Sequence, residues 1–112
     1  MNWTGNLFSG ATESTSLAWD QDALILDVRS PGEFASGHVD GALNLPLDRF
    51  AQEHANAAPD KSRQIIVYCQ SGARSGQATR FLQQLNYEKV VNGGSPSAVA
   101  LKANRSIIRL MA

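Results

Sequence analysis

The feature that most constrains the fold is the run Gln64-Ile65-Ile66-Val67-Tyr68-Cys69. It is short, unbroken and rich in β-branched residues, the pattern of a strand buried on both faces. A strand with no polar face needs cover on each side, which calls for one sheet with helices on both faces. Ala23-Leu24-Ile25-Leu26-Asp27-Val28 is a second run of the same kind. Shorter apolar pieces lie at 42–45, stopped by Pro46, and at 89–92, ended by Gly93-Gly94.

Helical periodicity fills the gaps between these runs. Leu47, Phe50, Ala51, His54 and Ala55 share one face at helical spacing, and Ala58-Pro59-Asp60 ends that helix. Ala78, Phe81, Leu82 and Leu85 repeat the pattern as far as Asn86. Ser95-Pro96 reads as an N-cap with proline at the first helical position, opening a third helix. Ile107, Ile108, Leu110 and Met111 are expected to form a final packing segment. The alternation of strands and helices predicts a single α/β domain over 23–112 with a mostly parallel sheet. Residues 1–22 are rich in Ser, Thr, Gly and Asn. They are expected to form an arm or short edge strand pinned by Trp3, Phe8 and Trp19.

Charge and cysteine content narrow the function classes. Ten basic residues balance ten acidic ones, so neither nucleic acid nor an anionic membrane is expected as a partner. No stretch of about eighteen apolar residues would span a bilayer. The N-terminus lacks a basic segment followed by an apolar one, so a cytoplasmic protein is expected, although a mature chain shorn of its leader would read the same. There is one cysteine, so no intrachain disulfide can form. CxxC and HExxH motifs are absent, and His38 and His54 stand alone, so no metal or other cofactor is expected. The expected state is a monomer.

A lone cysteine is either a small buried hydrophobe or a reactive thiol, and its neighbours decide between them. Cys69 ends the most apolar strand, at the side of an open α/β sheet where ligands bind. The segment Gln70-Ser71-Gly72-Ala73-Arg74-Ser75 then leads straight into a helix. Such a loop can turn successive N–H groups inward as an anion nest, and the helix N-terminus adds partial positive charge. Gly72 permits the curvature. Amides, dipole and Arg74 together would lower the Cys69 pKa. An arginine at a helix start works against the dipole, and such local conflicts gather at functional sites. The alternative is a structural cysteine followed by an ordinary turn.

Three groups of residues now resemble one known family. Asp27-Val28-Arg29, Glu33-Phe34, Gly37-His38, Gly41-Ala42 and Asn44-Leu45-Pro46 resemble the first signature of rhodanese-like domains. Tyr68-Cys69-Gln70-Ser71-Gly72-Ala73-Arg74-Ser75 resembles their active-site loop, and Asn92-Gly93-Gly94 their late double-glycine turn. The likeness runs from about Ala23 to Gly94. It implies a rhodanese-like fold, a central five-stranded, mostly parallel sheet flanked by helices on both faces.

It also implies a sulfurtransferase in which Cys69 cycles between thiolate and persulfide. A small anionic donor such as thiosulfate would load Cys69, and cyanide, a thiol or a protein acceptor would discharge it. The amides of Gln70, Ser71, Gly72, Ala73, Arg74 and Ser75 would cradle the persulfide, and Arg74 would hold the donor. No general base is needed once the thiolate exists. Asp27 and Arg29 are expected to organise nearby loops, with Glu33 pairing to Arg29. His38 is expected to pack a loop, and Asn44 and Pro46 to shape a turn.

Two features bear on competing readings. Where the family often places an aromatic residue after the double glycine, this chain has Ser95-Pro96-Ser97. Related phosphatases and arsenate reductases use a loop one residue longer between cysteine and arginine, and the smaller ring here suits sulfur better than phosphate. Non-catalytic modules of the family, which bind partners, commonly lose the cysteine; this chain keeps it.

Overall fold

The computed structural model describes residues 18–110. The roles expected of Trp3, Phe8 and Met111, and most of the 1–22 arm, lie outside those residues. Four parallel strands form the central sheet in the order β3-β1-β4-β5. They are β1 (Leu24–Asp27), β3 (Leu43–Asn44), β4 (Ile65–Tyr68) and β5 (Val90–Gly94). Both pairings of β1 and the pairing of β4 with β5 are parallel.

The resemblance implied five strands in this sheet, whereas the described residues place four there. Two further short strands, β2 (His38–Val39) and β6 (Ile107–Ile108), form their own antiparallel ladder. The turn at Asp40-Gly41 follows Val39 at once, so β2 is two residues long and takes its partner from the C-terminal segment. Ile107, Ile108 and Leu110 therefore stay exposed instead of packing into a core.

Side-chain alternation along β4 sorts two cores. Ile65, Val67 and Cys69 face Phe50 of helix α2 (Phe50–Ala57) and Ala78 and Leu82 of α3 (Ala73–Gln84). Ile66 and Tyr68 face Val99 and Ala100 of α4 (Pro96–Ala103), with Trp19 packed alongside. Both faces are covered, as the continuous apolar run of β4 requires. No helix among the described residues is long and apolar enough to cross a membrane.

Local differences from the sequence reading have identifiable causes. A 3₁₀ turn at Leu47–Arg49 precedes α2 and, with its tighter winding, rotates the buried face. Phe50, His54 and Ala57 turn inward and Ala51 and Ala55 outward. Periodicity does not predict helix α1 (Pro31–Ser36), although its capping signal is present. Ser30 accepts from the Glu33 amide and Glu33 returns a bond to the Ser30 amide, a full capping box with proline at the start. Ser95 caps α4 in the expected way, accepting from the Ala98 amide.

The double glycine has a packing cause. The register between β4 and β5 slips after Val67, so Val67 faces Asn92 and Tyr68 faces Gly94. The bulged Gly93 lies so close to α4 that an added Cβ would stand 2.5 Å from Val99 Cγ2 and 3.0 Å from Ile66 Cγ2. Overfilling a close-packed core typically costs about 1–3 kcal/mol. Gly93→Ala is therefore expected to lower unfolding stability by about that amount; chemical denaturation of both proteins checks it.

Candidate active site

The carboxyl ends of β1, β4 and β5 converge on one polar cluster. At the end of β1, Asp27 is fully buried and Arg29 is 4% exposed. They form an ion pair, with Arg29 Nη2 2.7 Å from Asp27 Oδ2 and Nε 3.0 Å from Oδ1. Arg29 also donates to the Gly37 carbonyl at 2.7 Å and to Gln70 Oε1 at 3.3 Å, so one guanidinium ties β1 to the loop after α1 and the loop after β4. Asn44 Nδ2 donates to the carbonyls of Asp27 and Arg29, both at 3.0 Å. His38 is buried, stacks on Phe34 at 3.7 Å and bonds the Phe34 carbonyl through Nδ1.

Cys69 stands one residue beyond the end of β4. Its amide donates to the Gly94 carbonyl at 3.1 Å, and the residue is only 1% exposed. The Gly72 amide donates to Sγ at 3.0 Å. Gly72 has φ of 100°, in the left-handed region that favours glycine, and directly precedes α3. Burial pushes the Cys69 thiol up, but the Ser75 hydroxyl and the amides of Ser75, Ser71 and Gly72 more than reverse this and bring it to about 7. Of the six loop residues expected around the sulfur, Ser71, Gly72 and Ser75 support it. The Gln70 side chain is held by Arg29, and Ala73 is exposed.

Arg74 differs most from expectation. It is bound bidentately by Glu33, Nη1 to Oε1 at 2.8 Å and Nη2 to Oε2 at 3.0 Å. Glu33 was expected to pair with Arg29, but Asp27 already fills that guanidinium, and the capping box of α1 aims Glu33 at the loop. Arg74 holds the Glu33 carboxyl down to about 2, with help from the Ser30 amide. The charge of Arg74 is thus largely answered before any ligand arrives.

The sequence marks Asn92 only as part of a turn, yet it is central to the cluster. Its Oδ1 accepts from Ser75 Oγ at 2.6 Å and from the Gly94 amide at 3.1 Å, while its Nδ2 donates to the Gly72 carbonyl at 3.0 Å. A polar residue closing the apolar run 89–92, just before the double glycine, is the available signal. Ser75 Oγ also lies 3.5 Å from Cys69 Sγ. Its single proton is shared between a short contact to Asn92 and a longer one to sulfur. Ser95, in the stretch that replaces the family's aromatic, caps α4. A groove of about 570 Å³, lined by Val28, Pro31, Pro46, Leu47 and others, instead flanks the Arg74 side of the loop.

The sequence matches the family model of the rhodanese-like domain over residues 11–97. It is 40% identical over 76 residues to the thiosulfate sulfurtransferase PspE of Escherichia coli, covering 68% of this chain and 73% of that one. A solved structure described as a rhodanese with anions from E. coli superimposes with a TM-score of 0.70 and 34% identity, covering 78% of this chain and 98% of that one. A tRNA uridine(34) hydroxylase of Erwinia tasmaniensis is 32% identical over 90 residues, covering 75% of this chain but only 26% of that one.

A thiol supported in this way should be half ionised near neutral pH. Alkylation of Cys69 by iodoacetamide is expected to rise with a midpoint at about pH 7, below the 9.0 of an ordinary thiol. In Ser75→Ala the midpoint should move upward, because the thiolate loses a hydroxyl donor. A pH series of alkylation rates on both proteins checks the direction.

Proposed function

Because the chain belongs to the rhodanese-like domain family, we propose that it is a sulfurtransferase that carries sulfane sulfur on Cys69. The observation that carries this reading is the buried Cys69 Sγ accepting the Gly72 amide at 3.0 Å at the start of α3. Such a donor favours the charged form of the sulfur. The lowered thiol makes Cys69 a nucleophile at neutral pH without a general base. Similarity to a thiosulfate sulfurtransferase supports the same chemistry.

With thiosulfate as donor, the Cys69 thiolate attacks the outer sulfur and a new S–S bond forms. The donor's own S–S bond breaks, and sulfite leaves with the bonding pair. Cys69 is left as a persulfide anion whose terminal sulfur can accept the loop amides. Cyanide or a thiolate then attacks that terminal sulfur, forming thiocyanate or a new persulfide and returning the Cys69 thiolate. No net proton transfer is needed in either half with the anionic forms, so no acid–base residue is assigned. Asp27, fully engaged by Arg29, is a scaffold for the loops.

Cys69→Ser is expected to reduce turnover of thiosulfate with cyanide to background while preserving the fold. Thiocyanate formation measures the first, and far-ultraviolet circular dichroism the second. Turnover that persists in the folded serine protein would overturn the assignment of Cys69.

A further inference from the structure

We propose that Glu33 is a specificity-determining residue, which by clamping Arg74 sets how strongly the Cys69 loop prefers a more highly charged anionic donor. This deepens the sulfurtransferase reading and rests on it. Both arginines of the cluster carry a paired carboxylate: Arg29 has Asp27 and Arg74 has Glu33. The amides around Cys69 therefore supply hydrogen bonds, while the loop's arginine supplies little uncompensated positive charge.

The two pairs differ in accessibility. Asp27 and Arg29 are buried, whereas the side chains of Glu33 and Arg74 are 36% and 37% exposed. An incoming anion can thus compete with Glu33 for Arg74 but not with Asp27 for Arg29. Glu33 stays ionised at any working pH, because Arg74 holds its carboxyl at about 2. The opposing charge is permanent. Arg74 is favoured in its charged form chiefly by Glu33, and the negative sulfur of Cys69 adds to this in the same direction. Removing the Glu33 charge should consequently raise the local potential at Cys69.

The geometry suggests a substitution that changes charge and little else. Glu33 has a second task, accepting the Ser30 amide in the capping box. Glutamine serves that position as well as glutamate. Glu33→Gln therefore keeps α1 while leaving the Arg74 charge unanswered.

The test compares thiosulfate, a dianion, with methanethiosulfonate, a monoanion whose sulfane sulfur leaves sulfinate behind. In Glu33→Gln the ratio of kcat/KM values should move towards thiosulfate by about threefold to tenfold, the gain shrinking at high salt. Combining it with Arg74→Gln should remove the gain. A second readout needs no sulfur transfer: the ratio of Cys69 alkylation by iodoacetate to that by iodoacetamide. Both reagents need the thiolate, so a shift in thiol pKa cancels and the ratio reports local charge. It should rise in Glu33→Gln. Ser30→Ala, which weakens the cap and keeps the charge, should lower the melting temperature without moving either ratio.

Unchanged ratios in a folded Glu33→Gln protein would overturn the proposal and leave Glu33 as a helix cap. A wild-type protein that accepts sulfur from neither donor would instead overturn the sulfurtransferase reading. The alkylation ratio would still say whether Glu33 sets the charge at the thiol.

Discussion

A carboxylate shut away from water needs a partner at once, and Asp27 has one two residues along the same strand end. Its pairing with Arg29 places both charges in the interior. Taking ions out of water is expensive, and such a pair is weak evidence for added stability; removing one member, however, typically costs about 3–5 kcal/mol because the other is stranded. What the pair supplies is position. The guanidinium reaches the Gly37 carbonyl and the Gln70 side chain, and Asn44 bonds the carbonyls of Asp27 and Arg29. The segments after β1, α1 and β4 are thereby fixed to one another, beside a loop that must keep its amides aimed at one sulfur atom.

Around that sulfur, burial and hydrogen bonding oppose each other. Burial favours the neutral thiol, while the hydroxyl of Ser75 and the loop amides favour the thiolate and prevail. Ser75 is adaptable because it has one proton and two acceptors. Asn92 cannot turn its amide without losing the Gly94 and Gly72 bonds together, so its Oδ1 stays presented to Ser75. The hydroxyl can rest on Asn92 while Cys69 is a thiol and turn towards sulfur as negative charge develops there. The strand that follows α3 thus steadies the loop that precedes it, and the Gly93 bulge sets where Asn92 stands.

Much of this architecture was legible in the chain because its strands are buried on both faces. The runs at 23–28 and 64–69 have no polar side to disguise them, and the placement of Cys69 beside a glycine-containing turn pointed to the loop. Elements held by specific bonds were harder to read. Helix α1 is six residues long and buries none of them, so no apolar period announces it; only the Ser30-to-Glu33 capping box does. The buried face of α2 departs from the periodicity because a 3₁₀ turn shifts its phase. The partner of Glu33 is hidden in the sequence for a related reason. Arg29 and Arg74 are indistinguishable as charges in a sequence, and only the buried position of Asp27 decides which arginine remains for Glu33. Asn92 acts through bonds to residues 17 and 20 positions away, which no local pattern encodes.

The central claim is that sulfur rides on Cys69 as a persulfide held by the loop amides. Intact-protein mass spectrometry after brief exposure to thiosulfate, followed by peptide mapping, tests it most directly. The protein should gain one sulfur atom, located on the peptide that carries Cys69, and lose it when cyanide is added. A protein that gains no sulfur, or gains it away from Cys69, or keeps it in the presence of cyanide, would contradict a Cys69 persulfide as the sulfur carrier.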